Sequence, residues 1–188
     1  TRGAMPWHVP CTRWVESRQV GTALNALGKF DMSKPISGLL AGLAAALVLS
    51  ALMLLKGSLG MLPQLNVVTM LAGLGGNALG IQPTPMLGWA LHVPTGTVLW
   101  GLLFALVGGM LPGNSWTLRG MLFSIGAWLL MMLVLVPLVG AGFFALDLGV
   151  MAPVATLVLH VIFGAVMGVV YGALIRYAPQ RPVATAAR

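Results

Sequence analysis

This chain carries very little charge. Asp, Glu, Lys and Arg make up 7% of its 188 residues, against roughly 25% in soluble domains. Acids are the scarcest, with three in all: Glu16, Asp31 and Asp147. A chain this poor in charge cannot dress a water-facing surface, which excludes a soluble globular domain. The scarcity of acids leaves no paired carboxylates for acid–base work. There is no Ser-His-Asp set either, and no glycine loop in the strand–loop–helix context that phosphate binding needs. A single cysteine, Cys11, rules out an internal disulfide and any cysteine-cluster metal site. The twelve methionines are scattered, and Met131-Met132 reads as adaptable packing rather than a copper array.

What the chain has instead is apolar length. It is 59% hydrophobic. Four long apolar runs cover about 35–55, 85–111, 118–140 and 153–175. Each approaches or exceeds the roughly 20 residues that cross about 30 Å of hydrocarbon as a helix. The expectation is an all-α, integral membrane four-helix bundle over residues 32–177. Pro35, Pro85 and Pro153 fall at or near first turns, where a missing N–H costs little. Pro94 and Pro137 lie inside spans and predict kinks. Thr95 and Thr97 are close enough to Pro94 to satisfy freed carbonyls. The first span exceeds the h-region of a signal peptide and no A-x-A-like site follows it, so it reads as a retained helix.

The net charge of +7 does not point to nucleic acid, because the cations sit at span ends rather than in a patch interleaved with aromatics. Arg2, Arg13, Arg18, Lys29 and Lys34 precede the first span. Arg119 lies between the second and third, and Arg176, Arg181 and Arg188 follow the fourth. Only Lys56 falls on the other side. Cations concentrate on the cytoplasmic side of membrane proteins, so both termini are expected in the cytoplasm. Residues 1–31 read as a cytoplasmic arm of uncertain order or a non-native extension, holding Trp7, His8, Cys11, Trp14 and Phe30. Met32-Ser33-Lys34-Pro35 reads as the natural start of the membrane domain, and 178–188 as a cytoplasmic tail.

The most informative feature is a repeated phrase inside the spans. Leu91-His92-Val93-Pro94-Thr95-Gly96-Thr97-Val98 recurs as Leu159-His160-Val161-Ile162-Phe163-Gly164-Ala165-Val166. The connectors echo too: Leu65-Asn66-Val67-Val68-Thr69-Met70-Leu71-Ala72 has a gapped counterpart in Leu146-Asp147-Leu148-Gly149-Val150-Met151-Ala152. The plan is two parallel copies of helix, connector, histidine helix. In the first connector, Met61, Leu62, Leu65, Val68 and Leu71 would share one face of a short helix, ended by Gly75-Gly76-Asn77.

The histidines sit on stripes of small residues. Gly88, His92 and Gly96 share a face, as do His160, Gly164, Gly168 and Gly172. The first span has its own stripe, Gly38, Gly42, Ala46 and Ser50. Small residues at this spacing let membrane helices approach closely, so these glycines are read as packing seams. Both imidazoles then face the bundle interior, where ionisable groups in membranes usually lie. Each lies about two turns past a proline, roughly 10 Å below its helix end. Three readings fit the pair. Each ring hydrogen-bonds a threonine, carbonyl or water as polar glue. Or His92 and His160 are axial ligands of haem b. Or they belong to a metal or quinone site, with Asp147 as a further group. Asp147 by itself reads as a solvated or helix-capping residue, and Trp89, Trp116 and Tyr177 as interfacial aromatics.

One resemblance extends the reading. Leu54-Leu55-Lys56-Gly57, then Leu62 through Val68, His92 through Gly101, Pro137 through Phe144 and His160 through Gly172 resemble an uncharacterised family of small bacterial four-helix membrane proteins. The resemblance covers about residues 32–177. It implies an inner-membrane location and no assigned activity. The functional expectation is a non-enzymatic structural or accessory subunit in contact with the lipid bilayer. It would pack through its glycine seams against itself or a larger membrane complex. The alternative is a haem b electron-transfer protein.

Overall fold

The computed structural model describes residues 33–60 and 66–177. The arm 1–31, the tail 178–188 and the expected helix-face residues Met61, Leu62 and Leu65 lie outside the described residues. Five helices follow in order: α1 (Ser33–Ser58), α2 (Val67–Leu79), α3 (Pro85–Met110), α4 (Trp116–Leu138) and α5 (Met151–Tyr177). Among the described residues there is no strand. α1, α3, α4 and α5 are each long and apolar enough to cross a membrane. They coincide with the four expected spans to within a turn. The chain is an all-α membrane protein.

Local chemistry sets where the helices begin. Thr84 Oγ1 accepts from the Leu87 N–H at 3.2 Å, with Pro85 at the first helical position. Ser115 Oγ accepts from Leu118 N–H at 3.2 Å, and Asn66 Oδ1 from Thr69 N–H at 3.2 Å. These side chains satisfy N–H groups that a helix start leaves without partners. α2 continues through Gly75-Gly76-Asn77 rather than ending there. It stops at Gly80, whose φ of 67° is left-handed backbone suited to glycine.

The internal prolines do not end their helices. A π-helical turn spans Thr95–Trp100, directly after Pro94, and another spans Met131–Leu135, just before Pro137. A π turn shifts the hydrogen-bond ladder by one residue and lets the helix continue past the missing N–H. Thr95 donates its hydroxyl to the Leu91 carbonyl at 2.7 Å, one residue past the Ala90 carbonyl that the missing Pro94 N–H would have met. Thr97 does not, since its hydroxyl is buried with no hydrogen-bond partner.

The glycine stripes decide which helices are neighbours. α1 packs on α3 and α5, and α4 packs on α5. On the first seam Gly42 lies so close to α3 that a Cβ there would sit 2.7 Å from the Gly96 carbonyl oxygen, while Gly38 meets Gly101. Gly38 pairing with Gly101 and Gly42 with Gly96 makes the two helices antiparallel. On the α4–α5 seam Gly120 lies on Gly164 and Gly168, and Gly172 against the Trp116 side chain. Gly88 faces Val68 of α2. All the stripe glycines are therefore used within this one chain.

The backbones of α3 and α4 come closest towards their joined end. Round the bundle the order is α1, α3, α4, α5, so α3 and α5 stand diagonally. At the end where α1 begins and α5 finishes, Phe104, Phe123, Trp116 and Tyr171 interlock. Ring centroids are 5.3 Å apart for Phe104–Phe123, 5.2 Å for Phe104–Tyr171 and 5.0 Å for Trp116–Tyr171. Near the other end Met132, Val136, Ala141, Ala145 and Ala152 form a second cluster.

The repeat holds in the plan of the spans and fails in the connectors. Asn66 caps α2, whereas its counterpart Asp147 lies exposed in a 3-10 segment, Phe143–Leu148. Phe144 and Ala145 there take φ of 57° and 55°. That tight chain path leaves no room for a second copy of α2.

Candidate functional site

His160 and Thr156 are one turn apart on α5. His160 Nδ1 lies 2.8 Å from the Thr156 carbonyl oxygen. A carbonyl only accepts, so Nδ1 carries the hydrogen and donates. In the neutral ring Nε2 is then an acceptor. The Thr156 hydroxyl, itself buried, accepts from the Trp128 indole N–H at 3.1 Å and donates back to the Ala152 carbonyl at 2.9 Å. One residue thus ties α4 to α5 and sets the imidazole tautomer. Sequence reading passed over Thr156. The available signal was its position four residues before His160, on the histidine's own helical face.

His92 is held differently. Its ring meets Trp89 edge-on, with centroids 5.7 Å apart and planes at 82°. Its Nε2 is buried and has no hydrogen-bond partner. The hydroxyls of Ser50 on α1 and Thr97 on α3 are buried without partners as well. Buried polar atoms normally find partners, because an unmade hydrogen bond costs about 1–3 kcal/mol.

The two histidines face one cavity of about 440 Å³. α1 contributes Ala46, Leu49, Met53 and Lys56, and α2 closes one end with Val67 and Leu71. α3 contributes His92, Thr95, Gly96, Leu99 and Trp100, four of them from the π turn. α4 gives Ala127, Leu130 and the π-turn residues Met131, Val134 and Leu135. α5 supplies Thr156, Leu159, His160 and Phe163. Trp100 lines the cavity and packs on Phe123, with ring centroids 5.8 Å apart. The aromatic cluster therefore closes the cavity at the end away from α2. Apart from Lys56, the two imidazoles and the threonines, the wall is apolar.

Of the lining residues, only Leu99 on α3 and Leu130 and Val134 on α4 are exposed, at 55%, 54% and 47%. Asp147 does not line it. Among the described residues no group of three or more His, Cys, Asp and Glu side chains comes together to hold a metal ion. A zinc site normally needs three or four protein ligands, so this cavity holds at most two. The packing glycines Gly38, Gly42, Gly88, Gly96, Gly164, Gly168 and Gly172 lie on the seams described above, and of these only Gly96 also lines the cavity.

No curated protein and no solved structure matches this chain. Residues 32–182 match the family of unknown function DUF6789, a range that takes in all four apolar helices, and the chain belongs to that family.

Proposed function

We propose that this is a non-enzymatic accessory protein of the bacterial inner membrane that holds a small apolar molecule in its two-histidine cavity. The observation that carries the reading is a single apolar cavity of about 440 Å³ faced by imidazoles from two different helices. Sites for small molecules span roughly 300–1,000 Å³ and pair apolar walls with a few polar groups. The distribution of cations supports both termini in the cytoplasm. The test is to purify the protein in mild detergent, extract it with organic solvent and identify what is released. A near-stoichiometric apolar molecule is expected, and Leu130→Trp, which fills the cavity from its exposed wall, depletes it. An extract holding only bulk lipid ends the reading.

The accessory role has its own test. The glycine stripes are occupied inside the bundle, so a second copy or a larger membrane complex would have to dock on the lipid-facing leucines and valines. Sizing in native detergent is expected to give an assembly. A lone monomer with no co-purifying partner removes this role.

A second reading, haem b held by His92 and His160, is favoured by one contact. Histidines that ligate metals characteristically donate their other ring N–H to a carbonyl or carboxylate, as His160 does to Thr156. Lys56, also on the lining, fits a propionate. Haem would supply one-electron transfer. The expected sign is a sharp reduced α-band, lost in both His92→Ala and His160→Ala. Colourless protein after haem-replete expression, unchanged by added hemin, excludes it.

A further inference from the structure

We infer that the cavity takes a quinol, a flat ring with hydroxyl groups at opposite positions and an apolar tail, and takes it sideways from the bilayer between α3 and α4. This rests on reading the cavity as a binding site and names the ligand's chemistry. Three observations carry it. First, the Thr156 carbonyl holds the hydrogen on His160 Nδ1. The acceptor Nε2 is therefore the ring atom left for a ligand, and the ligand must bring a hydrogen-bond donor. Ethers and quinone carbonyls have none to offer, and an anionic head would meet a lone pair. A hydroxyl fits.

Second, a further polar atom of the same cavity stands on the diagonal helix. His92 Nε2 is buried and has no partner within the protein. The two imidazoles come from different helices and line one cavity, so a single ring with hydroxyls at opposite positions can offer a donor to each side. The rings of Trp100 and Phe163 line the same space and suit a flat aromatic body.

Third, of the residues that line the cavity only Leu99 on α3 and Leu130 and Val134 on α4 are exposed, each about half, which points to an entrance between these two lipid-facing helices. Both helices carry a π turn here, Thr95–Trp100 and Met131–Leu135. The glycines that draw helices together lie on the other seams, between α1 and α3 and between α4 and α5. A tail of apolar groups can stay in the bilayer while the head occupies the cavity.

The experiment uses the full chain in detergent, kept anaerobic. Binding of a decyl-tailed 1,4-benzoquinol is compared with that of its di-O-methyl ether by calorimetry, each corrected for empty micelles. The quinol should bind at least about tenfold tighter, because the ether leaves a buried acceptor unpaired. His160→Phe should bring the two affinities together. Equal affinities in the wild type overturn the quinol assignment while leaving an apolar-ligand site standing. No binding of either probe overturns both readings. Should His160→Phe fail to fold, the wild-type comparison decides alone. In nanodiscs Val134→Trp should slow quinol uptake, and an unchanged rate refutes the sideways entry.

Discussion

Thr156 concentrates four contacts in one side chain and its backbone: the Trp128 indole, the Ala152 and Pro153 carbonyls, which share its hydroxyl hydrogen, and the His160 ring. Thr156→Val keeps the shape and removes the hydroxyl. Hydrogen bonds between membrane helices contribute around 1 kcal/mol, so a loss of about that size is expected in thermal unfolding in detergent. Trp128→Phe should cost a similar amount, and the double variant should cost less than the sum of the two, because both changes break the same bond. Full additivity would show that the bond contributes nothing. His92 and His160 stand out in the sequence through the repeated Leu-His-Val phrase. That one ring is anchored and the other left with a buried unpaired nitrogen is not visible there. It depends on which ring nitrogen each side-chain rotamer turns towards a carbonyl, as His160 Nδ1 turns to Thr156 and His92 Nε2 does not.

At the scale of elements, glycines with similar sequence settings have different consequences. Gly164 lies against Ser124 and Gly120 of α4, whereas Gly126 on α4 has open space around it. Gly164→Ala forces a methyl into a filled seam, and overpacking of this kind costs typically 1–3 kcal/mol. Gly126→Ala should be neutral or slightly stabilising, since glycine in a helix is worth roughly 0.5–1 kcal/mol less than alanine. Unfolding midpoints of the two variants check the contrast, and equal effects would refute the seam. The stripe at Gly164, Gly168 and Gly172 is legible as a run of fours. The partner of each glycine is not, because spacing marks a face without saying which helix meets it. The prolines teach the same lesson. Pro94 and Pro137 announce a disturbance in the ladder, but a kink and a π turn leave the same trace in sequence. Here the helix continues, and the extra residue widens the helix beside the cavity.

At the scale of the whole molecule, the distribution of cations along the sequence predicts an orientation with both termini in the cytoplasm. With Cys11 replaced by Ser, a membrane-impermeant maleimide should label Ser58→Cys in intact cells. Asn114→Cys should be labelled only after the membrane is opened. The reverse pattern would place both termini outside. Neither Ser58 nor Asn114 is buried, so labelling reports side rather than burial.

The sequence by itself determined that this is a membrane protein, that four of its runs are long and apolar enough to cross a bilayer, and that two histidines lie within them in a repeated phrase. These follow from one-dimensional quantities: apolar run length against hydrocarbon thickness, the scarcity of charge, and a phrase used twice. Only the tertiary structure decided that α3 and α5 stand diagonally, and that His92 and His160 face one cavity. It alone placed π turns on both α3 and α4 beside that cavity, with the glycine seams elsewhere. The reason is physical. Lipid exerts no hydrophobic drive between helices, so their arrangement depends on which small residues let which backbones touch, and that is a property of pairs of surfaces rather than of any single stretch of chain.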